Sequence, residues 1–185
     1  MDEISIFVNY NSIRVFLGSI IFYFYLYFSF SGATELASGI SIFLGVYIPR
    51  NFKNPIFSRN LQDHWNRWNI SLMQVLKEAI FYPFSLFVSR VFRIGPQLSI
   101  PISIFAVFIF LGFWQGSQMK YYFFSLYHAL GLTVVFYFSQ FDIARKYFSE
   151  NLLLQKIYSF LSWSITFVWI SFSYGIYCGT IRFFK

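Results

Sequence analysis

The chain has 185 residues, 57% of them hydrophobic and 11% charged, against about 25% charged in a soluble globular domain, so lipid is the expected solvent. Its 25% aromatic share is spread evenly through apolar runs, unlike a nucleic-acid reader that stacks bases on a few exposed rings, and no nucleic-acid partner is expected. One cysteine, Cys178, excludes an intrachain disulfide and a cysteine metal site, and the net charge of +7 has to be read by position.

The chain opens Met1-Asp2-Glu3, without the positive leader of a signal peptide, so the first apolar run, residues 15–31, reads as a retained span. Residues 97–114, 121–141 and 157–181 are three further charge-free runs near the length a spanning helix needs. A fifth, residues 36–48, is shorter and follows Glu35; it reads as a span extended back to Gly32 rather than a buried half-helix. Residues 49–95 differ in character, being punctuated by Pro49, Pro55 and Pro83 and carrying Arg50, Lys53, Arg59, Arg67, Lys77, Arg90 and Arg93. With five spans this basic segment shares a side with the N-terminus and with Arg145, Lys146 and Lys156, which the positive-inside rule makes cytoplasmic.

Within that segment, residues 62–80 are predicted to form one amphipathic helix at the membrane interface. Trp65, Trp68, Leu72, Val75, Leu76 and Ala79 recur at spacings of three and four. The tryptophans would sit at the headgroup boundary, Asn69 would turn inward, and His64 would lie on the solvated flank beside Asp63. No phosphate-binding glycine loop, serine elbow or pair of histidines at zinc-ligand spacing occurs, and no metal or bound cofactor is expected. The polar groups to be explained inside the bilayer are Glu35, Asn69, Gln115 and His128. Each has a plainer alternative: interhelical hydrogen bonding for Asn69 and Gln115, packing for His128, a helix neighbour or the interface for Glu35.

The phrase from Tyr27 through Phe30-Ser31-Gly32 to Gly39, followed by Pro49-Arg50-Asn51-Phe52-Lys53-Asn54-Pro55, resembles the membrane-bound O-acyltransferase family. So do Trp65-Asn66-Arg67-Trp68-Asn69-Ile70-Ser71-Leu72, then Gly112-Phe113-Trp114-Gln115-Gly116, and Tyr127-His128-Ala129-Leu130, in the family's order. The resemblance implies an all-α polytopic transmembrane bundle of about five spans with an interfacial amphipathic helix. Residues 1–185 would form one domain similar to the C-terminal half of a member, with a partner membrane chain supplying further spans. It implies acyl transfer from a thioester donor, acyl-CoA or an acyl carrier protein, to a hydroxyl of a lipid or an envelope polymer such as teichoic acid or alginate, in the bacterial cytoplasmic membrane. By the same resemblance Gln115 stands where the family has its usual catalytic histidine, Asn69 at a second histidine position and His128 in the later phrase. Glu35, Trp65, Arg67, Trp68 and Trp114 would contact substrate.

The substitution at 115 matters chemically. An imidazole can accept the acceptor hydroxyl's proton near neutral pH and an amide cannot, and losing such a base removes about 10² to 10⁴ in rate. His128 follows thirteen residues later, about 20 Å along a continuous helix, so only a turn near Gly116 would bring it close. The chain is therefore expected to be a truncated or divergent member, either acting through Gln115 and Asn69 or catalytically silent and paired with another chain. A small transporter subunit has only Glu35 in its favour.

Overall fold

A chain this apolar has to satisfy its backbone polar groups internally, and helices do so locally. The computed structural model describes residues 12–140 and 151–179, among which there is no strand. In chain order they form α1 (Ser12–Phe43), a 3-10 turn (Pro55–Phe57), α2 (Leu61–Trp65), α3 (Ile70–Leu76), a π turn (Lys77–Phe81), α4 (Tyr82–Phe92), α5 (Pro96–Gln115), α6 (Met119–Gln140) and α7 (Leu152–Cys178). Helices α1, α5, α6 and α7 are long and apolar enough to cross a membrane. The protein is an integral membrane protein with an all-α polytopic bundle.

The expected fifth span is not a separate element. The run at 36–48 continues α1, whose 32 residues reach about 48 Å. Nothing between them breaks a helix: Gly32 costs only about 1 kcal/mol relative to alanine, and the Thr34 hydroxyl folds back on the Phe30 and Ser31 carbonyls at 3.1 and 3.0 Å. The helix stops at Gly45, which takes φ +73° while the Leu44, Gly45 and Val46 N–H groups return to the carbonyls of Ser41 and Ile42. One span fewer reverses the side of the start of α1. It lies opposite the basic segment and beside the end of α7, where Phe22 meets Tyr177.

The expected interfacial helix at 62–80 is also corrected. It is broken after Trp65, and Asn69 takes the left-handed conformation at φ 46°, ψ 53°. The rings placed at the headgroup boundary are instead in the core, with Trp65 and Trp68 only 5% and 7% exposed. The reason is a set of bonds that replaces the helical ladder: Lys53 N–H donates to Arg67 O and Ile70 N–H to Asn51 O, both at 2.9 Å. Asn51 further accepts from the Ser71 N–H and hydroxyl and donates to Asn69 Oδ1. So clipped, residues 51–69 lodge between the long helices near their mid-length. Trp65 meets Phe108 of α5 and His128 of α6, Trp68 meets Tyr23 of α1 and Tyr174 of α7, and Trp163 of α7 donates to Ile56 O at 2.9 Å. Further on, Pro83 has no N–H to return to Ala79, and the ladder widens into the π turn just before it.

His64 goes with this segment and is fully buried, not solvated. Its ring stacks on Trp68 at 5.6 Å, and Nδ1–H donates to Pro55 O at 3.4 Å. Burial is the main cause that lowers its pKa to about 4, against the opposing pull of the Pro55 carbonyl and Asp63.

Helix α1 packs on α7, α7 on α6, α6 on α5, and α4 on α5. Small residues allow the closest approaches, as is common where membrane helices cross. A Cβ at Gly131 would run into Leu61 of α2 and come within 2.8 Å of the Trp169 ring, whereas one at Gly18 would meet nothing within 4 Å. Gly131→Ala is therefore expected to lower stability by about 1–3 kcal/mol and Gly18→Ala to leave it unchanged or raise it, as read by thermal unfolding in detergent. The same measurement against pH tests His64. Above pH 6.5 the imidazole is neutral folded and unfolded; between 6.5 and about 4 only the unfolded chain takes the proton, so stability falls as pH falls through that window. The fall should be shallower in His64→Gln.

Candidate active site

An open cavity of about 310 Å³ lies against the clipped segment. Helix α1 supplies Leu26 and Phe30 to its wall, the segment and α3 supply Trp65, Trp68, Asn69 and Leu72, and α5 supplies Leu111, Trp114 and Gln115. Phe124 of α6 and Tyr174 and Tyr177 of α7 complete it. The motif phrases around 65–72 and 112–116, far apart in sequence, thus face one space. Five of the site residues expected from sequence meet here: Asn69, Gln115, Trp65, Trp68 and Trp114.

The backbone explains why position 69 bears an asparagine. Few residues with a Cβ tolerate the left-handed region, and Asn, Asp and His are those enriched there. Asn and the histidine found at this position by resemblance therefore satisfy the same backbone demand. The side chain is held by the Asn51 amide, which donates to Asn69 Oδ1 at 3.1 Å. Gln115 is the last residue of α5, half-buried, before Gly116 at φ 138° turns the chain toward α6. Two primary amides, one on a strained turn and one at a helix end, stand at the cavity beside the tryptophans of these two phrases. Each can donate to a carbonyl oxygen, and neither can serve as a proton acceptor near neutral pH.

His128 lies behind the wall rather than in it. Ser173 donates its hydroxyl hydrogen to Ile170 O at 2.7 Å, so the 2.9 Å contact between Ser173 Oγ and His128 Nε2 is an N–H donated by the histidine. That leaves His128 Nδ1 bare, and it accepts from Trp65 Nε1–H at 3.3 Å. The chain of donors from Trp65 through His128 and Ser173 to the α7 backbone is complete. Both ring nitrogens are engaged, and the histidine anchors the back edge of a tryptophan whose ring lines the cavity. His64 has the opposite arrangement, with Nε2 buried and without a partner among the described residues, and it sits behind Trp68.

Glu35 and Arg67 are not among the wall residues. Glu35 is half-exposed on α1, 4.0 Å from Arg50, and Arg67 pairs with Asp63 at 2.6 Å. The contributions of α1 and α7 to the wall were not anticipated. Phe30 lies in the first motif phrase, and in the last run Ser171, Ser173, Tyr174 and Gly175 interrupt an otherwise apolar stretch and, in the fold, are buried together with Ile170 and Ile176.

No family model matches the chain. It is 31% identical over 156 residues to the teichoic acid D-alanyltransferase of Bacillus subtilis, covering 84% of this chain and 38% of that protein. Against the peptidoglycan O-acetyltransferase of Helicobacter pylori it is 33% identical over 162 residues, 88% of this chain and 28% of that protein. A probable alginate O-acetylase of Pseudomonas syringae is 26% identical over 161 residues, covering 87% of this chain and 28% of that protein. The chain thus spans between about a quarter and two fifths of the length of these relatives. Relatives that all transfer an acyl group to envelope polymers, matched along most of a helical membrane bundle with two of the motif phrases facing one cavity, place this chain in the membrane-bound O-acyltransferase family.

Proposed function

We propose that this chain serves acyl transfer from a thioester donor to a hydroxyl of a cell-envelope polymer, at the bacterial cytoplasmic membrane. The observation that carries the reading is the convergence of Trp65, Trp68 and Asn69 with Trp114 and Gln115 on one cavity. In such a transfer the hydroxyl oxygen attacks the thioester carbonyl carbon, the C–S bond breaks as the C–O bond forms, and the hydroxyl proton ends on the departing thiolate. Asn69 and Gln115 suit the part of this chemistry that needs donors, holding the carbonyl oxygen and stabilising the charge that develops on it. The donor, acyl-CoA or an acyl carrier protein, would be drawn to the side that exposes Arg50, Lys53, Arg59, Arg90 and Arg93.

Transfer of a labelled acyl group by membranes expressing the chain tests the assignment. Gln115→Ala is expected to lower the rate by about 10² to 10³. Gln115→His, which restores a proton acceptor at the cavity, is expected to raise it by about 10² to 10⁴. Equal rates for the unaltered chain and Gln115→Ala would remove Gln115 from the site.

A second reading, a catalytically silent subunit that pairs with another acyltransferase chain, is favoured by one observation: no imidazole lines the cavity. It predicts no transfer by the chain alone and co-purification with a longer membrane acyltransferase; migration as a monomer from membranes that hold such an enzyme would count against it.

A further inference from the structure

The three carboxylates among the described residues are all committed away from the cavity. Glu35 faces Arg50, Asp63 binds the Arg67 guanidinium and the Arg59 N–H, and Glu78 accepts from Gln74 at 3.0 Å. Among the described residues, no wall residue is charged. The wall instead combines indole and phenol rings with two neutral amides, Asn69 and Gln115. The relatives differ on the property this bears on, since one transfers a D-alanyl group and others an acetyl group. A D-alanyl group carries an amine that is protonated below a pKa of about 8, whereas an acetyl group has no charge.

We infer that the cavity takes an uncharged acyl group and discriminates against one that bears an ammonium. The inference rests on the acyl-transfer reading for the nature of the ligand, and it adds the ligand's charge. An ammonium brought against this wall would find ring faces, amide oxygens and phenol hydroxyls, with no carboxylate among the described residues of the wall. Ring faces attract a cation, but a cation taken out of water without a counter-ion loses more hydration than a ring returns. Amide oxygens accept from an ammonium but carry no counter-charge for it. An uncharged acyl group has no such deficit. Its methyl packs on the rings, and its carbonyl oxygen accepts from the amides.

The test uses the full chain in lipid nanodiscs and two hydrolysis-resistant probes that differ only in the acyl group, the acetyl and the D-alanyl amides of N-acetylethylenediamine. Three of the five tryptophans lie in the wall, so indole emission reports occupancy. At pH 7 the acetyl probe should give a saturable change with a Kd at least about tenfold below that of the D-alanyl probe, a ratio expected from leaving one charge unpaired. At pH 9.5 the amine loses its proton and the two Kd values should converge. Leu26→Asp, which adds a carboxylate to the wall, should shift the pH 7 preference toward the D-alanyl probe. The inference is overturned if the D-alanyl probe binds as tightly as the acetyl probe at pH 7, if the preference is indifferent to pH, or if neither probe saturates. Selective binding together with absent transfer would refute the acyl-transfer reading and leave the selectivity standing.

Discussion

The fold depends on keeping irregular backbone inside an apolar bundle. Each unpaired N–H or carbonyl there would cost several kcal/mol, and residues 51–69 lie between the helices with a set of cross-segment bonds in place of a helical ladder. Asn51 does most of this, binding across the break to Asn69, Ile70 and Ser71, while Lys53 pairs with Arg67 and the Trp163 indole caps Ile56. Once the segment is fixed, the break in the helix follows, the two tryptophans are directed inward, and a cavity wall exists for α5 to complete.

The two histidines illustrate how position decides chemistry. Both are neutral, buried and packed on a cavity tryptophan from behind. His128 is closed on both nitrogens, its proton fixed by a serine that has already given its own hydrogen to the α7 backbone. His64 is oriented by Pro55 and keeps a bare nitrogen facing the interior. Neither delivers a lone pair to the cavity, where the two motif phrases contribute two amides and three tryptophans.

Hydrophobic run length made the four spans legible in the sequence, because crossing a bilayer is a demand on composition. The motif phrases gave the cavity's Trp65, Trp68, Asn69, Trp114 and Gln115. What periodicity misread was the segment between. Spacings of three and four at 65–76 suit an amphipathic helix, yet the decision lay with Asn51 and Lys53, whose cross-segment bonds have no periodic signature. Glu35 misled in a similar way: an acid within an apolar run suggests a boundary, but Arg50 comes round to meet it on an unbroken helix. His64 followed its Asp63 neighbour to the surface on paper and followed Trp68 to the core in the fold.

The left-handed backbone at Asn69 has an evolutionary side. At that position the main chain filters side chains before any chemistry is selected, so exchange between histidine and asparagine alters reactivity while the clip, the break and the wall survive. Position 115 has no such filter, since the end of an ordinary helix accepts almost any residue, and under the acyl-transfer reading drift there would be restrained by catalysis alone. In a lineage where selection on activity relaxes, the helix-end residue should therefore wander first and the turn residue stay within its short alphabet.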